Sequence, residues 1–218
     1  YGISSQDILT HVNSLFFDNS VFDLYMSFFS GACLLPLSRT ELKDPGNVVR
    51  RLDQYRATVW FSVPSMLIYL LNLHVLNSDN LKYIRKIIFG GEGFPKNKLK
   101  ELYDLYRNRI QLVNVYGPTE CTCICSSFVI SDRDFETKNM TTLTPIGEII
   151  PNFYYLILDE NKIPIQKGEV GELYLGGQHV ASGYFRSEGE TTPAFIQNPL
   201  NPNFRDIIYK TGDLVRLD

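Results

Sequence analysis

The chain has 218 residues, of which 44% are apolar and 21% charged, the composition of a globular protein with material for a substantial core. Twenty-one Lys and Arg against 24 Asp and Glu leave a net charge of -3, so no strong positive field is available to hold nucleic acid. No apolar run approaches the roughly 18 residues of a membrane span, and the opening YGISSQDIL lacks the basic and apolar regions of an export signal, so the expected location is the cytoplasm.

From Ile8 to Val129 short apolar runs alternate with amphipathic stretches of helical length, the pattern of strand and helix crossings around a parallel sheet. Asp44 and Pro45 supply an N-cap and a first-turn proline, and Val48, Val49, Leu52 and Tyr55 then recur on one helical face. TVWFS (58–62) predicts a strand ending before Pro64, and MLIYLLNL a largely buried helix. KIIF (86–89) predicts a second buried strand, closed by Gly90, Gly91 and Gly93. A helix then begins at Pro95 with Leu99, Leu102 and Tyr106 on its inner side. IQLVNV (110–115) predicts a further strand running into YGPTE. Cys121, Cys123 and Cys125 fall at every second residue, which predicts three reduced thiols filling one face of a strand rather than metal ligands or disulfides.

Beyond about residue 141 the helical period fades, and YYLIL, ELYL and DIIY read as short strands separated by the turn signals DENK, GG and KTGD. The expected organisation is an α/β subdomain over 1–140, a parallel sheet with flanking helices, followed by a small distorted β-barrel subdomain over 141–218. No repeat or flexible linker separates the two.

Ligands in open α/β sheets gather at the carboxyl ends of the strands, where loops splay apart and helix N-termini present free N–H groups. Four unusual loops fall at such ends: FDNS (17–20), SVPS (62–65), GGEG (90–93) and YGPTE (116–120). GGEG is either a tight turn or a bare backbone against which a flat ring can lie. YGPTE is either an ordinary Gly-Pro turn or an aromatic, a hydroxyl and a carboxylate gathered around a nucleotide and its metal ion. Asp18 reads as a helix N-cap or as an anion awaiting a cationic ligand. His11, His74 and His179 show no paired spacing and are expected to be satisfied locally; neither a GxSxG elbow nor a P-loop occurs.

FDNSVFDLY, FGGEGFP, NVYGPTE, GELYLGGQHVASGYF and YKTGDLV, in that order, resemble the motifs of amino-acid adenylation enzymes. These are the adenylation domains of nonribosomal peptide synthetases and the D-alanine–carrier protein ligases, within the acyl-CoA synthetase and luciferase superfamily. The resemblance spans essentially the whole chain and implies the large N-terminal domain of that fold. It implies ATP and Mg²⁺ as cofactors, an amino acid as substrate and a carrier protein with a phosphopantetheine thiol as partner. Nucleic acid and membrane insertion are not expected.

Residue by residue, the resemblance makes Tyr116 the ring that stacks on adenine, with the backbone of Gly91, Glu92 and Gly93 on the other face. It makes Gly117 part of the nucleotide loop, Thr119 a contact to the α-phosphate, Glu120 the carboxylate that holds Mg²⁺, and Asp213 the acceptor for the ribose hydroxyls. Thr119 and Glu120 are thus the expected catalytic pair. Asp18 matches the aspartate that pairs with the substrate ammonium. Asn19, Phe22, Phe61, Ile88, Gly90, Val115, Cys123 and Ile124 match the lining of the side-chain pocket, an apolar set shortened by two phenylalanines that suits a small uncharged amino acid such as D-alanine. Alternatives are an acyl-CoA or fatty acyl-AMP synthetase of the same fold, disfavoured by Asp18, and a nucleotide-binding module without catalysis. The family's phosphate loop is expected before Tyr1 and its lysine-bearing lid after Asp218, so residues 1–218 alone are expected not to catalyse adenylation.

Overall fold

The computed structural model describes residues 1–137 and 140–217. Lys138 and Asn139, just before the expected second subdomain, and Asp218 at its end lie outside the described residues. The chain groups into two compact units, one formed by Tyr1–Tyr116 with Ser127–Gly147 and the other by Gly117–Ser126 with Glu148–Asp218. The segment that begins at Gly117 therefore belongs to the second unit although the chain returns to the first at Ser127.

In the first unit, β1 (Ile8–His11), β2 (Cys33–Pro36), β3 (Val59–Ser62), β4 (Lys86–Gly90), β5 (Gln111–Tyr116) and β6 (Ser126–Val129) lie in the order β2-β1-β3-β4-β5-β6. The pairings from β2 through β5 are all parallel. Helices α1 (Asn19–Ser30), α2 (Arg39–Leu42), α3 (Pro45–Gln54), α4 (Pro64–Asn72) and α5 (Lys96–Tyr106) make the crossings. Every residue of β3 is buried, as a central parallel strand covered on both faces requires. The core gathers Trp60, Leu67, Ile87, Phe89, Leu102 and Tyr106, none more than 1% exposed.

Local chemistry sets the helix boundaries. Asp44 accepts a hydrogen bond from the Asn47 amide at 3.0 Å, with Pro45 at the first helical position. Val48, Val49 and Leu52 then face inward, but Tyr55 does not: it closes the helix as C-cap, is 42% exposed, and lies beneath the Arg51 guanidinium. Pro95 occupies the N-cap of α5 and the helix itself starts at Lys96. Among the described residues no helix is long and apolar enough to cross a membrane.

The second unit holds the two-residue β7 (Glu148–Ile149), β8 (Phe153–Leu158), β9 (Val170–Gly177), α6 (Glu188–Ala194), β10 (Phe195–Gln197) and β11 (Ile207–Arg216). Four of these strands form an antiparallel half-barrel in the order β10-β11-β9-β8. Its core is a small cluster of Leu158, Tyr174 and Ile208.

The cysteine stripe is a correction. Cys121, Cys123 and Cys125 are all buried, but they do not lie on a strand: Thr119–Cys121 is a 3₁₀ turn, and Thr122 and Cys123 have positive φ. Gly117 permits this course, since a Cβ there would come within 2.0 Å of the Cys123 carbonyl oxygen. With the backbone folded onto itself there, the segment cannot be extended, and the alternation that suggested a strand is incidental.

Candidate functional site

Because β1, β3, β4 and β5 are parallel and adjacent, their carboxyl ends share one edge of the sheet, and the loops beginning after His11, Ser62, Gly90 and Tyr116 leave from it side by side. β1 is followed by β2 on one flank and β3 on the other, so the strand order reverses between β1 and β3. Such a reversal opens a crevice, because the flanking loops diverge to opposite faces.

Asp18, Asn19 and Phe22 sit at this crevice. Asp18 occupies the N-cap of α1 but has helical backbone angles and makes no side-chain cap bond to the helix, which separates it from an ordinary capping aspartate. It is half-buried, as is Asn19. Phe22 packs edge to face on Phe61 of β3 with ring centroids 5.0 Å apart, and both rings are buried. Ile88, Gly90 and Val115 are buried on the next two strands. Gly90 stands opposite Val115, and a Cβ on it would lie 2.3 Å from the Val115 carbonyl oxygen, so no side chain is tolerated there.

Beneath this pocket lies a feature the motif reading passed over. Asp23, one residue beyond Phe22, is 1% exposed, and its Oδ2 lies 3.1 Å from both His11 Nδ1 and the Asn13 side-chain amide. Burial pushes the Asp23 carboxyl up to about 8 and moves His11 below its ordinary value. A helical aspartate on the same face as Ser20 and Ser27 was the available signal.

The glycine loop follows β4. Gly91, Glu92 and Gly93 are exposed; a Cβ at Gly93 would meet nothing within 4 Å, and one at Gly91 only Asn19 and Val63 at ordinary contact distance. One face of this backbone is therefore open to a flat group. Tyr116 leaves the adjacent strand half-buried. Glu92 has a local task as well: its carboxylate accepts the Ser65 amide at 3.0 Å, serving the N-terminus of α4, whose own N-cap Val63 has no acceptor.

In the second unit, Gly117, Thr119 and Glu120 lie on the 3₁₀ turn and its approach, with Thr119 exposed and Cys123 and Ile124 buried just beyond. The Glu120 carboxylate accepts the Tyr184 hydroxyl at 2.6 Å, and Tyr209 donates to the same group. Burial would raise this carboxyl, but the two tyrosine hydrogen bonds and one from the backbone hold it below its usual range. The Ala181 amide fixes the Glu120 backbone carbonyl at 2.8 Å. Asp213 is exposed on a bulge of β11, where its amide donates to Thr211 Oγ1 at 3.0 Å and that hydroxyl is anchored on the Leu173 carbonyl.

Among the described residues no group of three or more His, Cys, Asp or Glu side chains could hold a metal ion. One ionised, immobilised carboxylate instead suits Mg²⁺ carried largely by the phosphates of a nucleotide. The residues present thus fit an ion that arrives with its substrate.

Comparison with known proteins gives a consistent picture. A family model described as AMP-binding enzyme matches residues 1–185. Bacitracin synthase 1 of Bacillus licheniformis is 30% identical over 214 residues, covering 98% of this chain and 4% of that protein. The dimodular nonribosomal peptide synthase of Bacillus subtilis (strain 168) is 28% identical over 218 residues, covering 99% of this chain and 8% of that protein. Among solved structures, CmiS6 superposes with a TM-score of 0.90 at 27% identity, covering all of this chain and 51% of that one. Holo-PA1221, a nonribosomal peptide synthetase protein with adenylation and carrier domains bound to a vinylsulfonamide inhibitor, superposes with a TM-score of 0.88 at 26% identity, covering 36% of its chain. The chain thus spans a small part of the curated relatives and about half of CmiS6.

Proposed function

Since the chain belongs to the AMP-binding enzymes and is similar to the adenylation domains of nonribosomal peptide synthetases, we propose that the full-length protein activates an amino acid as its adenylate and loads it onto a carrier-protein thiol. The observation that carries this reading is the half-buried Asp18 at the start of helix α1, one turn before the Phe22 that packs on Phe61, at the point where strand order reverses. A half-buried carboxylate one helical turn before a buried aromatic pair suits the ammonium of an amino acid and is a poor neighbour for an alkyl chain.

In this reading the substrate carboxylate attacks the α-phosphorus of ATP and expels pyrophosphate, so no enzyme nucleophile is required. The protein positions the reactants and neutralises charge. In the first unit, Asp18 pairs with the ammonium, Asn19, Phe22, Phe61, Ile88, Gly90 and Val115 line the side-chain pocket, and Tyr116 with the backbone of Gly91, Glu92 and Gly93 takes the adenine. In the second, Gly117 belongs to the nucleotide loop, Thr119 contacts the α-phosphate, Glu120 would hold Mg²⁺, Asp213 takes the ribose hydroxyls, and Cys123 and Ile124 match the family's side-chain-pocket positions. Bound Mg²⁺ supplies charge stabilisation at the phosphate oxygens. The short apolar pocket favours a small uncharged amino acid, with D-alanine the first candidate.

The test is amino-acid-dependent pyrophosphate exchange by the full-length protein across a substrate panel that includes D-alanine and fatty acids. Asp18→Ala should lower exchange with the preferred amino acid by about 30-fold or more, the equivalent of roughly 2 kcal/mol for one partner of a desolvated charge pair. Exchange with fatty acids that ignores Asp18→Ala would replace this reading with an acyl-CoA or fatty acyl-AMP synthetase. Residues 1–218 alone should give no exchange.

A further inference from the structure

A carboxyl group buried as completely as Asp23 is costly unless its partners are well placed, and here the placement is specific. Asp23 Oδ2 meets His11 from the last position of β1 and the Asn13 side chain from the loop that follows, while its Oδ1 has no hydrogen-bond partner among the described residues. Asn13 uses the same side-chain amide to donate to the Phe61 carbonyl at 3.2 Å. Within the helix, the Ser27 hydroxyl donates to the Asp23 backbone carbonyl at 2.7 Å. One carboxyl thus ties together the carboxyl end of β1, helix α1 and strand β3. Phe22 and Phe61 stand on two of those elements, and Asp18 at the start of α1.

A polar cluster in this position contributes little net stability, since apolar replacements of similar volume are often as stable or more so; what it fixes is geometry. We propose that Asp23 is a positioning residue for the amino-acid pocket, acting through Asn13 and His11 to fix the Phe61 backbone and helix α1 and hence the Phe22–Phe61 pair and Asp18. This rests on the pocket assigned above.

Steady-state exchange by the full-length protein tests it, with the KM values for amino acid and for ATP measured separately. Asp23→Leu should raise the amino-acid KM by about tenfold or more, while the ATP KM and kcat stay within about twofold. Asn13→Ala, which leaves the helix untouched, should move the amino-acid KM in the same direction by a smaller factor. Asp23→Asn, which keeps the size and most of the hydrogen bonding, should restore it. An unchanged amino-acid KM in both Asp23→Leu and Asn13→Ala would overturn the proposal, as would equal rises in both KM values. If Asp23→Leu does not fold, Asn13→Ala and Asp23→Asn decide. Failure of the underlying reading is visible separately, in the unmodified protein: no amino acid then supports exchange, and the proposal falls with it.

Discussion

In the first unit the residues that hold the structure are Trp60, Leu67, Leu70, Ile87 and Phe89, packed between a parallel sheet and its helices and essentially inaccessible to water. In the second the apolar cluster is Leu158, Tyr174 and Ile208, and the surrounding order comes from side-chain hydrogen bonds: Tyr154 and Asn198 on Asp206, Tyr184 and Tyr209 on Glu120, Tyr174 on Glu172. The difference teaches that one unit depends on removing hydrocarbon from water and the other on keeping polar groups satisfied, so the same kind of substitution should register differently in each.

The sharpest way to probe this contrast is a cavity in the first unit. Leu67→Ala should lower stability by about 2–5 kcal/mol, read by denaturant unfolding followed through the fluorescence of Trp60, the single tryptophan of the chain. The next effect tests a polar exception within the same unit. Asp7 is 6% exposed and accepts Arg85 Nε and Nη2, each at 2.9 Å, together with the Thr58 hydroxyl at 2.8 Å. The Arg85 hydrogen bonds hold its carboxyl well below the ordinary 3.8, so its stabilisation is complete above that pH and is lost as the solution is acidified further. Asp7→Asn should cost about 1.5–3 kcal/mol at neutral pH and flatten the acid limb of the stability profile.

A smaller effect belongs to the second unit. Burial and the Asp206 carboxylate push the Tyr154 hydroxyl up to about 12, so it remains a donor across the accessible range. Tyr154→Phe should cost about 0.5–1.5 kcal/mol by circular dichroism without moving the Trp60 fluorescence transition. A coincident shift of both signals would break the contrast between the units. At the bottom of the scale, Lys100 and Asp104 form an exposed i,i+4 pair on α5, and Lys100→Ala should change stability by no more than about 0.5 kcal/mol.

What could be read from the residues alone follows the range of the interactions. The Asp44 cap, the buried run of β3 and the alternation of strands with helices are local, so the parallel sheet and its edge of loops were legible. The half-barrel was legible from its short β-favouring runs and the DENK turn, but GG proves to be the end of β9, and KTGD continues β11 as a bulge rather than separating two strands. Interactions that join distant segments were not legible. Glu92 accepts the amide of Ser65, 27 residues earlier in the first turn of α4, and Asp7 meets Arg85 across 78 residues. Asp23 was hidden for another reason. A lone carboxylate in an amphipathic helix normally marks the wet face, and only His11 and Asn13, supplied by a different element, reverse that expectation.

The bulge in β11 carries a consequence for how the chain can be altered. Lys210 faces Tyr174 and Leu214 faces Glu172, so four steps along one strand are matched by two along its neighbour. The surplus is an even number, which preserves the parity of the strand: residues on either side of the excursion keep the same in-and-out alternation. Trimming two residues from Thr211–Asp213 would therefore leave a plain ladder, whereas trimming one would leave a single-residue bulge with a sharper local twist. Asp213 thus sits on a surplus that the ladder itself does not need, held in place by Thr211.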